Sequence, residues 1–362
     1  MKEKSQYRSK QAQDIHTYLI GYVCDNNDIQ TFQEAVRAAK DEDILETSIN
    51  GHTILIDILH LPNAILNEEK NTNTERVANT KTTALLKCLW ERISGNNKLT
   101  NFLCTHRDNE GFTPLHHALI SGNTENLNAY LQMLKTCEPK IIQGVLTSIN
   151  EAKFTSLHQA LKAGNTENLK AYLQMLKTCE TKIIQEVLTS KNIAGFNPLH
   201  QALKADNTEN LTAYLQMLKT CETKIIQEIL TSKNIAGFTP LHEAIISGNT
   251  RNLTAYLKML KTCETKLVTE VLTSKNEAEF TPLHQALKAS NTENLNAYLQ
   301  MLKTCDPEII TEVLTSKNEA EFTPLHSALM SGNTENLSVY LQMLETCDPQ
   351  ILTEVLTSKT KD

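Results

Sequence analysis

The chain has 362 residues, of which 40% are hydrophobic, 21% charged and 5% aromatic, an ordinary composition for a folded protein. Its net charge of −7 argues against a general nucleic-acid binder, because such proteins carry a basic surface. The N-terminus lacks the apolar core of a secretory signal, and no apolar run reaches the roughly 18 residues of a membrane span. A soluble, cytoplasmic protein is therefore expected.

The first 110 residues contain four predicted helices and one polar stretch. Apolar residues at helical spacing predict helices over Ile15–Cys24 and Ile29–Ala39, and again over Leu85–Ile93 and Leu99–Cys104. The intervening segment near 63–82 is rich in Asn, Thr and Glu, which is typical of a mobile insertion.

From Gly111 to Asp362 the chain consists of six tandem copies of a 42-residue sequence. One histidine per copy marks the register: His116, His158, His200, His242, His284 and His326. Stretches that start at His158 and His200 agree at 38 of 42 positions. A fixed period of this length is typical of a solenoid, in which each repeat buries its apolar face against its neighbours. Such an array indicates binding rather than catalysis.

The third copy shows how each 42-residue sequence is expected to fold. Asn197 and Pro198 are a cap and first-turn residue for one helix. Asn207 caps a second helix, whose apolar stripe includes Tyr214. Apolar residues within Ile225–Leu230 form the narrow face of a third short helix, and a polar turn leads to the next copy. Each copy is therefore predicted to hold three short helices.

The motif Gly-Phe-Thr-Pro-Leu-His, followed by Gly-Asn-x-Glu-Asn-Leu and Lys-Asn-x-x-Gly, resembles the ankyrin repeat. Residues 107–116 are especially similar to the finger and cap of that family, and residues 45–55 are a weaker parallel. The resemblance implies an all-α, ankyrin-like solenoid of about eight helical repeats with short turn or finger connections. Two degenerate repeats would occupy 1–110, with the mobile insertion near 63–82, and six tandem repeats would occupy 111–362.

Two features depart from the family pattern. The copies exceed the usual length of about 33 residues, and the excess falls in the third helix. The turn glycine is replaced by Lys153, Glu279 and Glu321 in three copies. Because a Cβ penalises positive φ, the sequence does not predict a strict left-handed turn at those fingers.

No catalytic, metal or cofactor site is predicted. Phosphate-binding glycine loops, paired-cysteine zinc spacing and His-Glu-x-x-His are missing from the sequence. The six register histidines come singly, whereas a metal ion needs several converging ligands. The ankyrin-type resemblance implies instead that His116, His158, His200, His242, His284 and His326 are structural, each joining its cap to the adjacent loop.

In ankyrin-type domains the variable first-helix and finger positions face a concave binding surface, so the matching positions are the candidate partner-binding residues. Two first-helix columns qualify: His117, Gln159, Gln201, Glu243, Gln285 and Ser327, and Ile120, Lys162, Lys204, Ile246, Lys288 and Met330. The finger column contributes Phe154, Phe196, Phe238 and Phe280. For these rings two roles stay open, partner contact and packing between copies, and invariance across the copies favours packing.

Three functions are compatible with the sequence. The first is a non-enzymatic scaffold that binds a partner protein through the concave groove. The second is a structural spacer with contacts at its ends. The third is an enzyme with a site among the N-terminal residues His16, Cys24, His52, His60, Cys88, Cys104 and His106. The Asn-, Lys-, Thr- and Ile-rich composition also resembles that of ankyrin-type effectors which intracellular bacteria deliver into the cytosol of host cells.

Overall fold

The computed structural model describes residues 9–24, 28–66 and 72–358, and the regular elements in these ranges are all helices. They belong to two compact halves, Met1–Asn192 and Ile193–Asp362. None of the helices in the described ranges combines the length and the apolarity that crossing a bilayer requires.

The first half contains residues 1–110, with six helices in their described part, and the first two copies, with three helices each. Its helices are α1 (Lys10–Cys24), α2 (Ile29–Ala38), α3 (Asp41–Leu45), α4 (Ile54–Leu66), α5 (Thr72–Ile93), α6 (Asn97–Thr105), α7 (Pro114–Ile120), α8 (Thr124–Lys135), α9 (Pro139–Leu146), α10 (Ser156–Ala163), α11 (Thr166–Leu176) and α12 (Thr181–Thr189). First helices pack on first helices (α4, α7, α10) and second on second (α5, α8, α11).

The second half contains the last four copies and repeats the same order. Its helices are α13 (Pro198–Lys204), α14 (Thr208–Leu218), α15 (Thr223–Leu230), α16 (Pro240–Ile246), α17 (Thr250–Leu260), α18 (Thr265–Leu272), α19 (Pro282–Lys288), α20 (Thr292–Leu302), α21 (Pro307–Thr315), α22 (Pro324–Ser331), α23 (Thr334–Leu344) and α24 (Pro349–Thr357). The first helices α13, α16, α19 and α22 pack in sequence, as do the second helices α14, α17, α20 and α23. The predicted all-α repeat architecture is confirmed.

Polar side chains at fixed positions start the first two helices of each copy. In the fifth copy, Thr281 and His284 form a capping box and Pro282 occupies the first turn, where its missing N–H costs nothing. Asn291 caps the following helix by accepting a hydrogen bond from the N–H of Asn294 at 2.9 Å, which satisfies one of the free donors at the helix end. The near-identity of the copies therefore reproduces the same local structure every 42 residues.

The core of each copy is centred on the apolar stripe of its second helix. Tyr298 on α20 is fully buried, and so are the leucines Leu295 and Leu302 on the same helix. Leu283 on α19 and Val313 on α21 are equally inaccessible, so all three helices of the copy contribute. Burying one such side chain stabilises the fold by about 1.5–3 kcal/mol.

The structure is more helical than expected around the polar stretch near 63–82. Helix α4 continues to Leu66 and α5 begins at Thr72, whereas the sequence predicted a helix only from Leu85. Residues 67–71, the centre of the expected insertion, lie outside the described residues.

The fingers keep a left-handed turn even where glycine is replaced. Lys153, Glu279 and Glu321 have φ values of 58°, 61° and 61°, close to the 76° of Gly237 at the same position. The backbone N–H of Glu279 donates to the carbonyl of Asn276 at 3.0 Å, and the Asn276 side chain accepts from the N–H of Phe280 at 2.9 Å. These bonds hold the turn against the steric cost of a Cβ. The sequence did not predict a strict left-handed turn at these three fingers, but the structure has one at each of them.

Candidate partner-binding surface

Four of the register histidines bridge their first helix to the next finger. In the fifth copy, the N–H of Thr281 donates to His284 Nδ1 at 3.2 Å, and His284 Nε2 lies 2.9 Å from the carbonyl oxygen of Phe322. Since a carbonyl only accepts, Nε2 carries the proton. The same bridge joins His116 to Phe154, His200 to Phe238 and His242 to Phe280. His158 and His326 make the same contact with their caps, Thr155 and Thr323.

Burial keeps several of these imidazoles neutral. It lowers the pKa of His116, His242 and His284 to about 4, because a charged ring would lose its hydration. In each case the hydrogen bond to the next finger acts in the opposite direction and is outweighed. These three imidazoles are therefore neutral hydrogen-bond bridges near pH 7.

The finger phenylalanines are half-buried against a histidine, and three of them also contact a lysine. Phe280 meets the ring of His284 edge-on with centroids 5.6 Å apart, and the ammonium of Lys288 lies 5.5 Å from its centroid. The same lysine contact is 5.3 Å for Lys204 and Phe196. Phe154 and Lys162 repeat it at 6.0 Å, and Phe238 keeps only the histidine contact, with His242. Each ring thus both packs and leaves part of its surface open.

Of the two columns on the first helices, the one that contains Lys204 and Ile246 is the more exposed. Lys162, Lys204 and Lys288 are exposed, and Ile120 is half-buried. Ile246 exposes 48% of its surface and Met330 exposes 70%. On the second half of the chain the column therefore alternates between basic and apolar side chains along α13, α16, α19 and α22.

The first column contradicts the expectation of a surface. His117, Gln159, Glu243 and Ser327 are buried, each exposing less than a tenth of its surface; Gln201 and Gln285 are half-buried. Glu243 accepts a hydrogen bond from the amide of Asn234 at 3.3 Å, and burial raises its pKa against the opposing charge of Lys204. His117 and Glu243 connect helix to finger beneath the surface, through Asp108 and Asn234 of the preceding loops.

The finger tips carry exposed residues that the sequence did not single out. Ile193 exposes 63% of its surface and Ile235 exposes 69%. Isoleucine in a polar turn leading to the next helix was the available signal, since a short turn rarely needs a large apolar residue.

The N-terminal histidines gather around aspartates, in a cluster that spans three repeats of the first half. Asp57 on α4 contacts His16 Nδ1 at 3.0 Å and His52 Nδ1 at 3.1 Å. On the next repeat, Asp108 lies 2.8 Å from His117 Nε2 and 3.7 Å from His52 Nε2.

The remaining member of the cluster, His60, lies against His117 with the two Nδ1 atoms 3.2 Å apart. The other N-terminal residues of the enzyme hypothesis lie in different surroundings. His106 Nε2 bonds the carbonyl oxygen of Gly51 at 2.8 Å, and Cys88 and Cys104 are buried thiols. The side chain of Cys24 is outside the described residues.

The pKa values of His60, His52 and Asp108 in this cluster are shifted in different directions. Burial lowers the pKa of His60 to about 4, helped by the neighbouring His117 and His52. Burial also acts to lower the pKa of His52, but the hydrogen bond and charge of Asp57 outweigh it and raise that pKa. Burial acts to raise the pKa of Asp108, and the hydrogen bonds from His117 and from the finger backbone outweigh it and lower that pKa. Near pH 7 the cluster therefore holds the ionised carboxylate of Asp108 and the neutral imidazole of His60.

Comparison with known proteins identifies the fold. No protein-family profile matches the chain, and no curated protein matches it significantly. Among solved structures, the ankyrin repeat domain of Bcl-3, a member of the IkappaB protein family, is similar, with a TM-score of 0.50 and 16% sequence identity. The match covers 81% of this chain and 99% of the Bcl-3 domain. The chain therefore has the ankyrin-repeat fold, as its sequence predicted, and this fold serves generally as a protein-interaction module.

Proposed function

We propose that the chain is a non-enzymatic scaffold that binds a partner protein through its exposed first-helix column and finger phenylalanines. The observation that carries this proposal is the alternation of Lys204, Ile246, Lys288 and Met330 on successive, mutually packed helices. Exposed apolar residues in a regular row, with aromatic rings beside them, are the composition of an interface rather than of an ordinary solvated face.

The chemistry of this surface favours an extended acidic and apolar segment as its partner. Lys204 and Lys288 each lie over a phenylalanine ring, so their ammonium groups are partly positioned before binding, which reduces the entropy lost. Adjacent packed helices lie about 8–10 Å apart, which places the two lysines roughly 20 Å apart. An extended chain advances about 3.3 Å per residue, so acidic residues about six positions apart, with apolar residues between them, would match.

The test compares two charge reversals of equal size. The variant Lys204→Glu/Lys288→Glu changes the proposed surface. The control Lys219→Glu/Lys303→Glu changes exposed lysines of the same two copies at the ends of their second helices. A partner is captured with the intact chain from eukaryotic cell lysate, identified, purified and titrated against all three proteins.

We expect the first variant to weaken binding at least tenfold and the control to bind like the intact chain. Equal binding by all three proteins would contradict the proposal. Helical circular dichroism of each variant establishes that a loss of binding is not a loss of fold.

The spacer function predicts a different result. Deleting residues 237–278, one complete copy, would shorten the array without removing either end. A spacer would keep its affinity for partners bound at the ends, whereas a partner that spans Ile246 would dissociate faster. Binding kinetics of the deletion variant therefore distinguish the two functions.

Delivery into a host cell is the finer part of this proposal. It is supported by the resemblance to ankyrin-type effectors and by free thiols such as Cys263 and Cys305, which suit a reducing cytosol. A translocation reporter fused to the full chain tests it. Lack of reporter signal in host cytosol, with the fusion produced in the donor cell, would refute delivery and leave the scaffold function untouched.

A further inference from the structure

We propose that the cluster at the junction of the second degenerate repeat and the first copy is a zinc-type metal site. Its ligands are His52 Nε2, Asp108 Oδ2 and His117 Nε2, with water in a fourth position. This inference is independent of the proposed partner-binding surface.

The three ligand atoms already converge. They all lie within 4.8 Å of one another, and Asp108 Oδ2 is 2.8 Å from His117 Nε2 and 3.7 Å from His52 Nε2. Zinc bonds nitrogen and oxygen at about 2.0–2.2 Å, so tetrahedral ligands lie roughly 3.4 Å apart. Small side-chain movements therefore bring the triad to coordination distance. Two imidazoles and one carboxylate with an open position are a ligand set that zinc uses.

A second layer of side chains orients the ligands. Asp57 holds His52 Nδ1 at 3.1 Å, which directs Nε2 of that ring towards Asp108, and His16 holds the other oxygen of Asp57. His60 Nδ1 lies 3.2 Å from His117 Nδ1 and is placed to accept a hydrogen bond from it. With a metal ion on Nε2, His117 keeps its proton on Nδ1 and donates it to His60. Such outer partners fix the tautomer and the ring orientation of metal-ligating histidines.

The other copies show that the finger does not need the Asp108 carboxylate. Asparagine occupies this position ahead of each later copy: Asn150, Asn192, Asn234, Asn276 and Asn318. Asp108 makes the turn with Oδ1 alone, accepting from the N–H groups of Phe112 and Glu110 at 2.8 and 2.9 Å. Its second oxygen is thereby left for His117.

The partner position varies in the same way. Where the first copy has His117, three later copies have glutamine: Gln159, Gln201 and Gln285. The fourth copy satisfies the same pair of positions with Asn234 and Glu243. At this one junction of the tandem copies, Asp108 in the finger and His117 on the first helix therefore replace the usual amide residues, and His52, itself at a finger position, faces them.

The site is partly open to solvent, which gives an ion access. The side chain of His52 is 18% exposed, whereas those of Asp108 and His117 are 5% and 8% exposed. Ions bound at buried carboxylate and imidazole groups avoid much of the screening by water.

The decisive experiment is a titration with Zn²⁺ of the full chain after removal of metals with a chelator and alkylation of its thiols. The variant Asp108→Asn/His117→Gln restores the pair found in the second, third and fifth copies, so its fold is expected to survive. The control Asn276→Asp/Gln285→His builds the same pair in the fifth copy, where no equivalent of His52 is present.

We expect the intact chain and the control to bind one equivalent of Zn²⁺ tightly, and the first variant to lose that equivalent. Co²⁺ in place of Zn²⁺ should give visible bands of a tetrahedral nitrogen–oxygen site in the same two proteins. Absence of Zn²⁺ binding by the intact chain, or equal affinity in the first variant, would overturn the proposal.

Asp57→Asn tests the orienting layer separately. It retains a hydrogen-bond acceptor for His52 but removes the charge, and we expect Zn²⁺ affinity to fall about 10–100-fold. Without metal, the melting temperature of Asp57→Asn should be close to that of the intact chain. Added Zn²⁺ should raise the melting temperature of the intact chain more than that of the variant. An unchanged affinity would show that Asp57 has no part in the site.

Discussion

Acidification from pH 7 to pH 5 should destabilise the fold through its buried histidine bridges. His116, His242 and His284 are almost inaccessible to solvent and have pKa values of about 4. An unfolded histidine has a pKa of about 6.5. Between these values the unfolded chain binds more protons than the folded chain, so acid favours unfolding.

The sign and the size follow from these pKa values. A group whose folded pKa is depressed contributes stability that is fully present above the unfolded pKa, and for these histidines it is lost as the pH falls from 6.5 towards 4. Each one should lose about 2 kcal/mol of unfolding free energy between pH 7 and pH 5. His60 acts in the same direction. His52, whose pKa is raised, acts in the opposite direction, because its stability is present below 6.5 and is lost as the pH rises.

Urea unfolding followed by circular dichroism at pH 7 and pH 5 measures this effect. His284→Gln should reduce stability at pH 7 and remove about 2 kcal/mol of the pH dependence. NMR titration of the imidazole protons identifies the responsible rings. A urea midpoint that does not change between the two pH values, or bridge histidines that titrate near 6.5, would refute the reasoning.

Two further predictions concern the core and the fingers. Tyr298→Phe should stabilise the chain by about 1 kcal/mol in urea unfolding, because the buried hydroxyl of Tyr298 has no hydrogen-bond partner; clear destabilisation would show that the hydroxyl is satisfied. Gly237→Ala should lower the melting temperature. A left-handed alanine costs about 1–2 kcal/mol of stability, and its Cβ would lie 2.5 Å from the backbone nitrogen of Glu277. Glu279→Gly removes the equivalent strain and should leave the melting temperature unchanged or higher, and similar losses in both variants would contradict this explanation.

Local signals in the sequence were sufficient to predict the repeated architecture. Thr281, Pro282 and Asn291 cap helices through contacts only a few residues long, so their pattern specifies each copy without knowledge of the rest. The start of α5 at Thr72 was not predictable in this way. Its first turns are polar, and propensity alone does not distinguish a polar helix from a loop.

The candidate surface was predicted only in part. Lys204 and Ile246 are exposed as expected, but Glu243 and Ser327 are buried by the fingers, because a helix directs its side chains towards its own N-terminal turn. The left-handed Lys153 was unexpected for another reason. The sequence shows the steric cost of a Cβ at positive φ, but it does not show the finger hydrogen bonds that outweigh this cost.

The histidine and aspartate cluster required the stacking of repeats to become visible. His16, His52 and His117 are far apart in sequence, and each appears singly. A signal was nonetheless present, since the alignment of Gly51 with Gly111 places His52 in the finger column and Asp57 in the column of His117. Applying the repeat register to the degenerate repeats would have brought these residues together.

Near-identity of the copies also affects how the chain finds its correct register. Hydrogen bonds between neighbouring copies join residues about one period apart, as with His242 and Phe280, and every copy offers almost the same donors and acceptors. A folding copy therefore gains little energy by choosing its true neighbour over an equivalent copy from another molecule, which favours exchange of segments between chains. The junction of His52, Asp108 and His117 differs from the others. At this junction only the correct neighbour supplies the matching side chains, so it favours the correct order of the repeats during folding.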